Sequence, residues 1–173
     1  LHLSIRRQRQ MCIRDRLNSG YFAVERFDRQ ENQKVHMVSV SGILETSHRI
    51  PNLDYNILMR LTMKLTEDYE EIEKIYRQMC FNVFAHNRDD HSKNFTYIYR
   101  EEEEQWRLGP AYDLTYSNTY YGEHTTSVDG NGRNPGEKEL LAVGLAAGMK
   151  KTRCMEMIKQ IRTCVQDMLG HYL

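Results

Sequence analysis

The chain has 173 residues, enough for one ordinary hydrophobic core, and its 40% apolar and 28% charged residues exclude an intrinsically disordered chain. Formal net charge is zero, so bulk electrostatics point to neither a nucleic acid nor an anionic membrane as partner. The longest apolar run, Leu140 to Met149, is too short to span a bilayer.

Residues 1–16, LHLSIRRQRQMCIRDR, hold five arginines and one aspartate and keep neither a helical nor a strand period. A basic arm for nucleic acid is one reading; a translated cloning remnant is favoured, and the segment is set aside as non-native or disordered. It lacks an apolar h-region, so it is not a secretory signal. Residues 17–173 read as one unit without repeats or a clean linker. Tyr21 to Phe27 (YFAVERF) is β-rich and predicts a strand, Asp28 to Lys34 a polar turn, and Val35 to Ile43 an extended segment. Arg49 to Leu53, with Pro51 and Asn52, predicts a loop. A modest helical pattern, Ile57, Leu58, Leu61 and Leu65, covers Tyr55 to Leu65.

The strongest helix signal runs from Glu67 to His86. Thr66 is the expected N-cap, with Glu67 and Asp68 in the first turn. Ile72, Ile75, Tyr76, Met79, Cys80, Val83 and Phe84 form one apolar stripe. Phe95–Tyr99 and Gln105–Leu108 flank four glutamates, 101–104, and predict a β-hairpin with a solvated tip. Gly122 to Gly136 reads as a long loop. Helices are predicted over Glu137–Ala147 and over Thr152 to about Leu169. The four cysteines, at 12, 80, 154 and 164, include no C-x-x-C and read as reduced core thiols of a cytoplasmic protein.

Between the best helix and the hairpin lies HNRDDHSKNF, residues 86–95. Asp89 is placed to accept a proton from a substrate hydroxyl, work that contributes on the order of 10²–10⁴-fold. Asn94, five residues on, offers a hard oxygen for magnesium, and Lys93 a cation for a transferring phosphoryl group. After the hairpin, Asp113 returns as the main magnesium carboxylate. Together these groups can move a phosphoryl group from ATP with Mg²⁺. D-x-x-x-x-N alone is weak and is more often an Asx-turn or capping loop. The order helix, D-x-x-x-x-N, hairpin, Asp is much more specific. A rival reading makes His86, Asp89, Asp90 and His91 a metal cluster for phosphohydrolysis. Against it, a loop His-x4-His lacks the helical spacing that brings two rings to one ion. His124 and His48 have no local partners.

HNRDDHSKNF followed by WRLGPAYDL resembles the HipA family of toxin–antitoxin serine/threonine kinases. VERFDR (Val24 to Arg29) resembles its hinge segment, and SVDGNGRNP its downstream loop. The resemblance covers roughly Tyr21 onward. It implies an α+β, mostly helical, protein-kinase-like C-terminal lobe with a β-hairpin at the catalytic site. It also implies Asp89 as catalytic base; His91, Lys93 and Asn94 as the nucleotide- and magnesium-contacting loop; Tyr112 and Asp113 as the second metal position; and Glu25 and Phe27 as the adenine hinge. Asp90 stands where some relatives carry glycine and reads as a supporting loop residue. The implied partners are a protein substrate, in the best-known relative glutamyl-tRNA synthetase, and a HipB-like DNA-binding antitoxin; direct nucleic-acid contact and a membrane are not expected. The family's first domain, with its phosphate-binding loop and lysine, has no counterpart here, so the chain is expected to be a truncated lobe that transfers phosphate poorly or not at all. A non-catalytic, pseudokinase-like antitoxin-binding module is the remaining alternative.

Overall fold

The computed structural model describes residues 26–30, 33–47, 52–118 and 122–170. In chain order these form β1 (Arg29–Gln30), β2 (Gln33–Lys34), β3 (Met37–Ser39), α1 (Val40–Ile43), β4 (Leu53–Asp54), α2 (Tyr55–Thr66), α3 (Tyr69–Phe84), β5 (Thr96–Arg100), β6 (Gln105–Leu108), β7 (Thr126–Ser127), α4 (Glu137–Ala146) and α5 (Lys151–Leu169). The fold is α+β and mostly helical. Strands β1 and β2 pair as a small antiparallel ribbon, β3–β5–β6 form an antiparallel sheet, and β4 and β7 form a short parallel pair.

Helix α3 is the central element, packed by α2 on one side and by α5 on the other, with α4 against α5. Its predicted stripe is the core: Ile72, Ile75, Tyr76, Met79 and Cys80 are almost wholly buried. The start of α3 differs from expectation. Thr66 ends α2, where its hydroxyl donates back to the Thr62 carbonyl at 2.8 Å. Glu67 then takes the left-handed conformation (φ +50°), and Asp68 becomes the N-cap, accepting from Glu70 N at 2.8 Å. Two helix ends packed into three residues leave no room for Thr66 to cap the second helix. Within α2 the deeply buried positions are Tyr55, Leu58, Met59, Thr62 and Thr66. The two threonines can be buried because each satisfies its hydroxyl locally.

The hairpin forms as predicted, with Tyr97 opposite Leu108 and Tyr99 opposite Trp106. It is anchored from below: the Thr62 and Tyr97 hydroxyls are 2.8 Å apart, and buried Glu71 accepts from Leu108 N at 3.0 Å. At the other edge β3 pairs with β5, and the chain turns at once into α1, capped by Ser39 Oγ, which accepts from Gly42 N at 3.3 Å. The expected extended stretch 35–43 is thus a three-residue strand followed by a helical turn. In the polar stretch 28–34, expected to be a turn, Arg29–Gln30 and Gln33–Lys34 pair as an antiparallel ribbon. Of the strand expected at Tyr21–Phe27, residues 21–25 lie outside the described residues, and Phe27 sits in a turn. The segment expected to be a loop at 49–53 is described only from Asn52, and Leu53 already pairs with Thr126. The glycine-rich stretch 122–136 is therefore not wholly irregular, because β7 ties it to the start of α2.

On the far side, α4 approaches α3 and α5 through Gly144. A Cβ there would lie 2.5 Å from Cys154 Sγ and 2.8 Å from Tyr76 Cε2. Tyr76 is held by its hydroxyl, which donates to the Leu140 carbonyl at 3.0 Å. Arg153 of α5 grips Glu73 of α3 in a two-pronged ion pair, both contacts 2.7 Å.

Candidate active site

Helix α3 stops in a Schellman turn. His86 adopts φ +50°, its N–H reaches Val83 O at 3.4 Å, and Asn87 N reaches Asn82 O at 2.9 Å. Glycine is the usual residue here; a histidine accepts a strain of about 1 kcal/mol. Burial, with Arg88 and His124 nearby, lowers the pKa of the His86 imidazole below its ordinary value. The turn aims residues 87–94 across the end of the bundle from a rigid support.

Several hydrogen bonds fix that loop. The Arg88 carbonyl accepts from Thr125 N at 3.0 Å and Thr125 Oγ1 at 3.1 Å. The Asp89 carbonyl accepts from Asn94 Nδ2 at 2.8 Å, and Asn94 N returns to the His91 carbonyl at 2.9 Å. Behind the loop, Ser41 N of α1 donates to the Ser92 carbonyl at 3.0 Å. The Asp89 carboxylate itself is 53% exposed, with Oδ1 4.0 Å from His91 Nε2. The loop presents a carboxylate to solvent on a backbone that cannot easily move.

The chain leaving the hairpin returns to this loop. The Tyr112 hydroxyl donates to the Lys93 carbonyl, and its ring lies 5.3 Å from that of Phe27. Burial raises the Tyr112 pKa, and the neighbouring Asp113 charge adds to the rise, so the hydroxyl stays a donor. Asp113 is exposed and left-handed at φ +54°, a conformation that costs a non-glycine residue on the order of 1 kcal/mol. Farther on, Ser117 N reaches the His86 carbonyl at 3.0 Å and Arg88 reaches Asn118 at 2.7 Å. Phe27, Asp89, His91, Lys93, Asn94 and Tyr112 are thus joined by direct contacts or chain adjacency, with Asp113 beside Tyr112. Glu25 lies outside the described residues.

Asp90 is the residue whose weight the sequence concealed. It is 1% exposed; Oδ2 accepts from the Tyr55 hydroxyl at 3.0 Å and lies 3.1 Å from His124 Nδ1, while Oδ1 accepts from Thr126 N at 3.0 Å. Thr126 Oγ1 also donates to its carbonyl. His124, without a local partner as expected, finds a distant one in Asp90, 34 residues away in sequence. Burial and the Asp90 charge push the Tyr55 pKa well above its ordinary value.

A profile of the HipA-like C-terminal domain matches residues 5–169. The chain belongs to that family. A solved complex of HipA, HipB and operator DNA from the toxin–antitoxin system of Shewanella oneidensis MR-1 contains a chain similar to this one, with a TM-score of 0.66 and 16% identity over 86% of the present chain and 41% of that chain. At this identity the likeness speaks for the fold. The chain therefore spans less than half of that structure's protein. A comparison with curated proteins gives no match.

Within this HipA-like domain the rival metal cluster does not assemble. Asp90 has both carboxylate oxygens engaged in the interior and His86 serves the helix end, packed edge-on to Tyr116 at 6.3 Å. Among the described residues no group of three or more His, Cys, Asp or Glu is arranged to hold an ion. A magnesium–nucleotide pair asks for something different, one or two hard oxygen donors with phosphates supplying the rest. Asn94 commits its amide nitrogen to the Asp89 carbonyl, which leaves Oδ1 as a hard oxygen donor, and Asp113 offers an exposed carboxylate. These donors fit Mg²⁺. No helix among the described residues is long and apolar enough to cross a membrane.

Proposed function

We propose that this domain is the C-terminal lobe of a HipA-like serine/threonine protein kinase of a type II toxin–antitoxin system, acting within a longer protein that completes the nucleotide site. The observation that supports this reading is the Tyr112–Lys93 contact, which joins the chain leaving the hairpin to the loop carrying Asp89 and Asn94. Asp89 accepts the hydrogen bond of a substrate serine or threonine and takes its proton as the new O–P bond forms and the bond from the γ-phosphorus to the bridging oxygen of ADP breaks. Lys93, exposed at the same loop, sets a cation toward the transferring group. Asn94 Oδ1 and Asp113 would hold Mg²⁺, which would neutralise phosphate charge when bound with ATP. His91 orients the loop toward the nucleotide, and Phe27 with Tyr112 lines the hinge side.

A HipB-like antitoxin is the proposed partner, an aminoacyl-tRNA synthetase the proposed class of substrate, and the cytoplasm the proposed compartment. The related complex of HipA with HipB and operator DNA supports the first of these. Phosphate transfer from labelled ATP by the full-length protein tests the reading. Asp89→Asn should reduce the rate by on the order of 10²–10⁴-fold while nucleotide binding persists. An inactive full-length protein with Asp89, Asn94 and Asp113 intact would favour a non-catalytic antitoxin-binding module. Robust transfer by the present chain alone would refute the two-part site.

A further inference from the structure

We propose that the buried Asp90–His124 pair is the positioning device for the Asp89 loop, so that the glycine-rich segment 122–136 sets where the catalytic carboxylate stands; the catalytic consequence rests on the kinase reading, the positioning does not. A carboxylate removed from water is tolerated only when its oxygens are fully hydrogen-bonded, and Asp90 draws its partners from two distant pieces of chain. Tyr55 comes from the first turn of α2, while His124 and Thr126 come from the glycine-rich segment. Asp90 is satisfied only when that segment is docked.

The network also has a direction. Asn87 Nδ2 donates to Asn82 Oδ1 at 2.9 Å, Asn82 Nδ2 donates to the Tyr55 oxygen at 2.9 Å, and the Tyr55 hydroxyl donates to Asp90. Every donor in this line points toward the carboxylate, which is its terminal acceptor. In this proposal His124 completes it by donating from Nδ1 to Asp90 Oδ2, the two atoms being 3.1 Å apart. All five side chains are at most 6% exposed, so the relay is shielded from competing water.

Asp89 is held between fixed neighbours. On one side the Arg88 carbonyl is tied to Thr125; on the other, the side chain and carbonyl of Asp90 are tied to His124, Tyr55 and Thr126; its own carbonyl is tied to Asn94. Only its carboxylate is left to act. His124 and Asp90 are positioning residues in this scheme. A general base displaced by about 1 Å loses on the order of 10²-fold in rate.

Two measurements decide the matter. On the present chain, amide hydrogen exchange is followed in His124→Ala, His124→Asn and Thr126→Val. The Asn amide can place a donor close to the position of Nδ1. In His124→Ala the amides of Thr125, Thr126 and Asn94 should exchange at least about tenfold faster, with Ile75 and Met79 of α3 unchanged, and His124→Asn should behave like the parent. If His124→Ala does not fold, Thr126→Val carries the same test at Thr125 and Asn94. Unchanged exchange at the loop, or a uniform rise that includes Ile75 and Met79, overturns the proposal. In the full-length protein, His124→Ala should lower kcat by on the order of 10²-fold with the KM for ATP within about twofold, and His124→Asn should recover most of it. An unaltered kcat, or no recovery by the asparagine, also overturns it. Should the full-length parent show no transfer at all, the kinase reading fails while the exchange arm still decides the positioning.

Discussion

Replacing Asp113 with glycine separates a functional carboxylate from a structural one. The residue sits at φ +54° and is exposed, so its backbone pays a left-handed penalty of roughly 1–2 kcal/mol, with aspartate near the lower end. Glycine removes that penalty but adds freedom to the unfolded chain worth roughly 0.5–1 kcal/mol. The difference is a native state between zero and about 1 kcal/mol more stable. With a urea dependence of about 2 kcal/mol per molar, the midpoint rises by at most about 0.5 M. Asp113→Ala deletes the same charge yet keeps the Cβ, and should fall about 1 kcal/mol below the glycine variant. In the full-length protein both variants should lose phosphoryl transfer by at least about 10²-fold, because each removes the charge assigned to magnesium. A glycine variant that unfolds more than about 1 kcal/mol more easily would show that the carboxylate serves the fold. Full transfer by either variant would refute the metal assignment.

His86→Gly should raise stability by about 0.5–1 kcal/mol in urea denaturation, since it supplies the residue a Schellman turn prefers, and should leave magnesium-dependent transfer within a few-fold of the parent. A loss of stability would remove helix termination as the reason for this backbone. A third prediction concerns acid. Hydrogen bonds from Arg153 hold the Glu73 carboxyl below the usual glutamate range, against the opposing effect of partial burial. A depressed acid stabilises the native state above its unfolded pKa of about 4.3, and that stability is lost as pH falls through the depressed folded value. Arg153→Met should flatten the stability profile below about pH 5 and cost at most about 1 kcal/mol at neutral pH, the pair being partly exposed. Parallel acid profiles for parent and variant would contradict this.

Local periodicity made much of the architecture legible. The α3 stripe, the hairpin around the glutamate tip and the closing pair of helices are all short-range patterns, and they form where the residues place them. Boundaries were harder. Thr66 and Asp68 are both good caps, and only the sharp turn at Glu67 decides between them. The site divides the same way. Asp89, Lys93 and Asn94 stand within one loop and are visible as a motif, and the hairpin between them and Asp113 implies a return. The Asp90–His124 contact spans 34 positions and follows no spacing rule, so His124 looks solitary in sequence. A second aspartate after Asp89, together with a histidine inside a glycine-rich stretch, was the only available hint. Parallel pairing of two-residue strands such as β4 and β7 leaves almost no local trace either.

The close approach at Gly144 has a consequence for the thiols. Cys154 is fully enclosed where three helices meet, and burial raises its pKa, so neither a reagent nor a thiolate is at hand while the helices stay together. Cys80, on the neighbouring helix, is equally enclosed, whereas Cys164 is partly open. The protein thus carries its own clock: modification of Cys154 and Cys80 marks each parting of the bundle, and Cys164 runs alongside as the reference for a thiol that needs no such event.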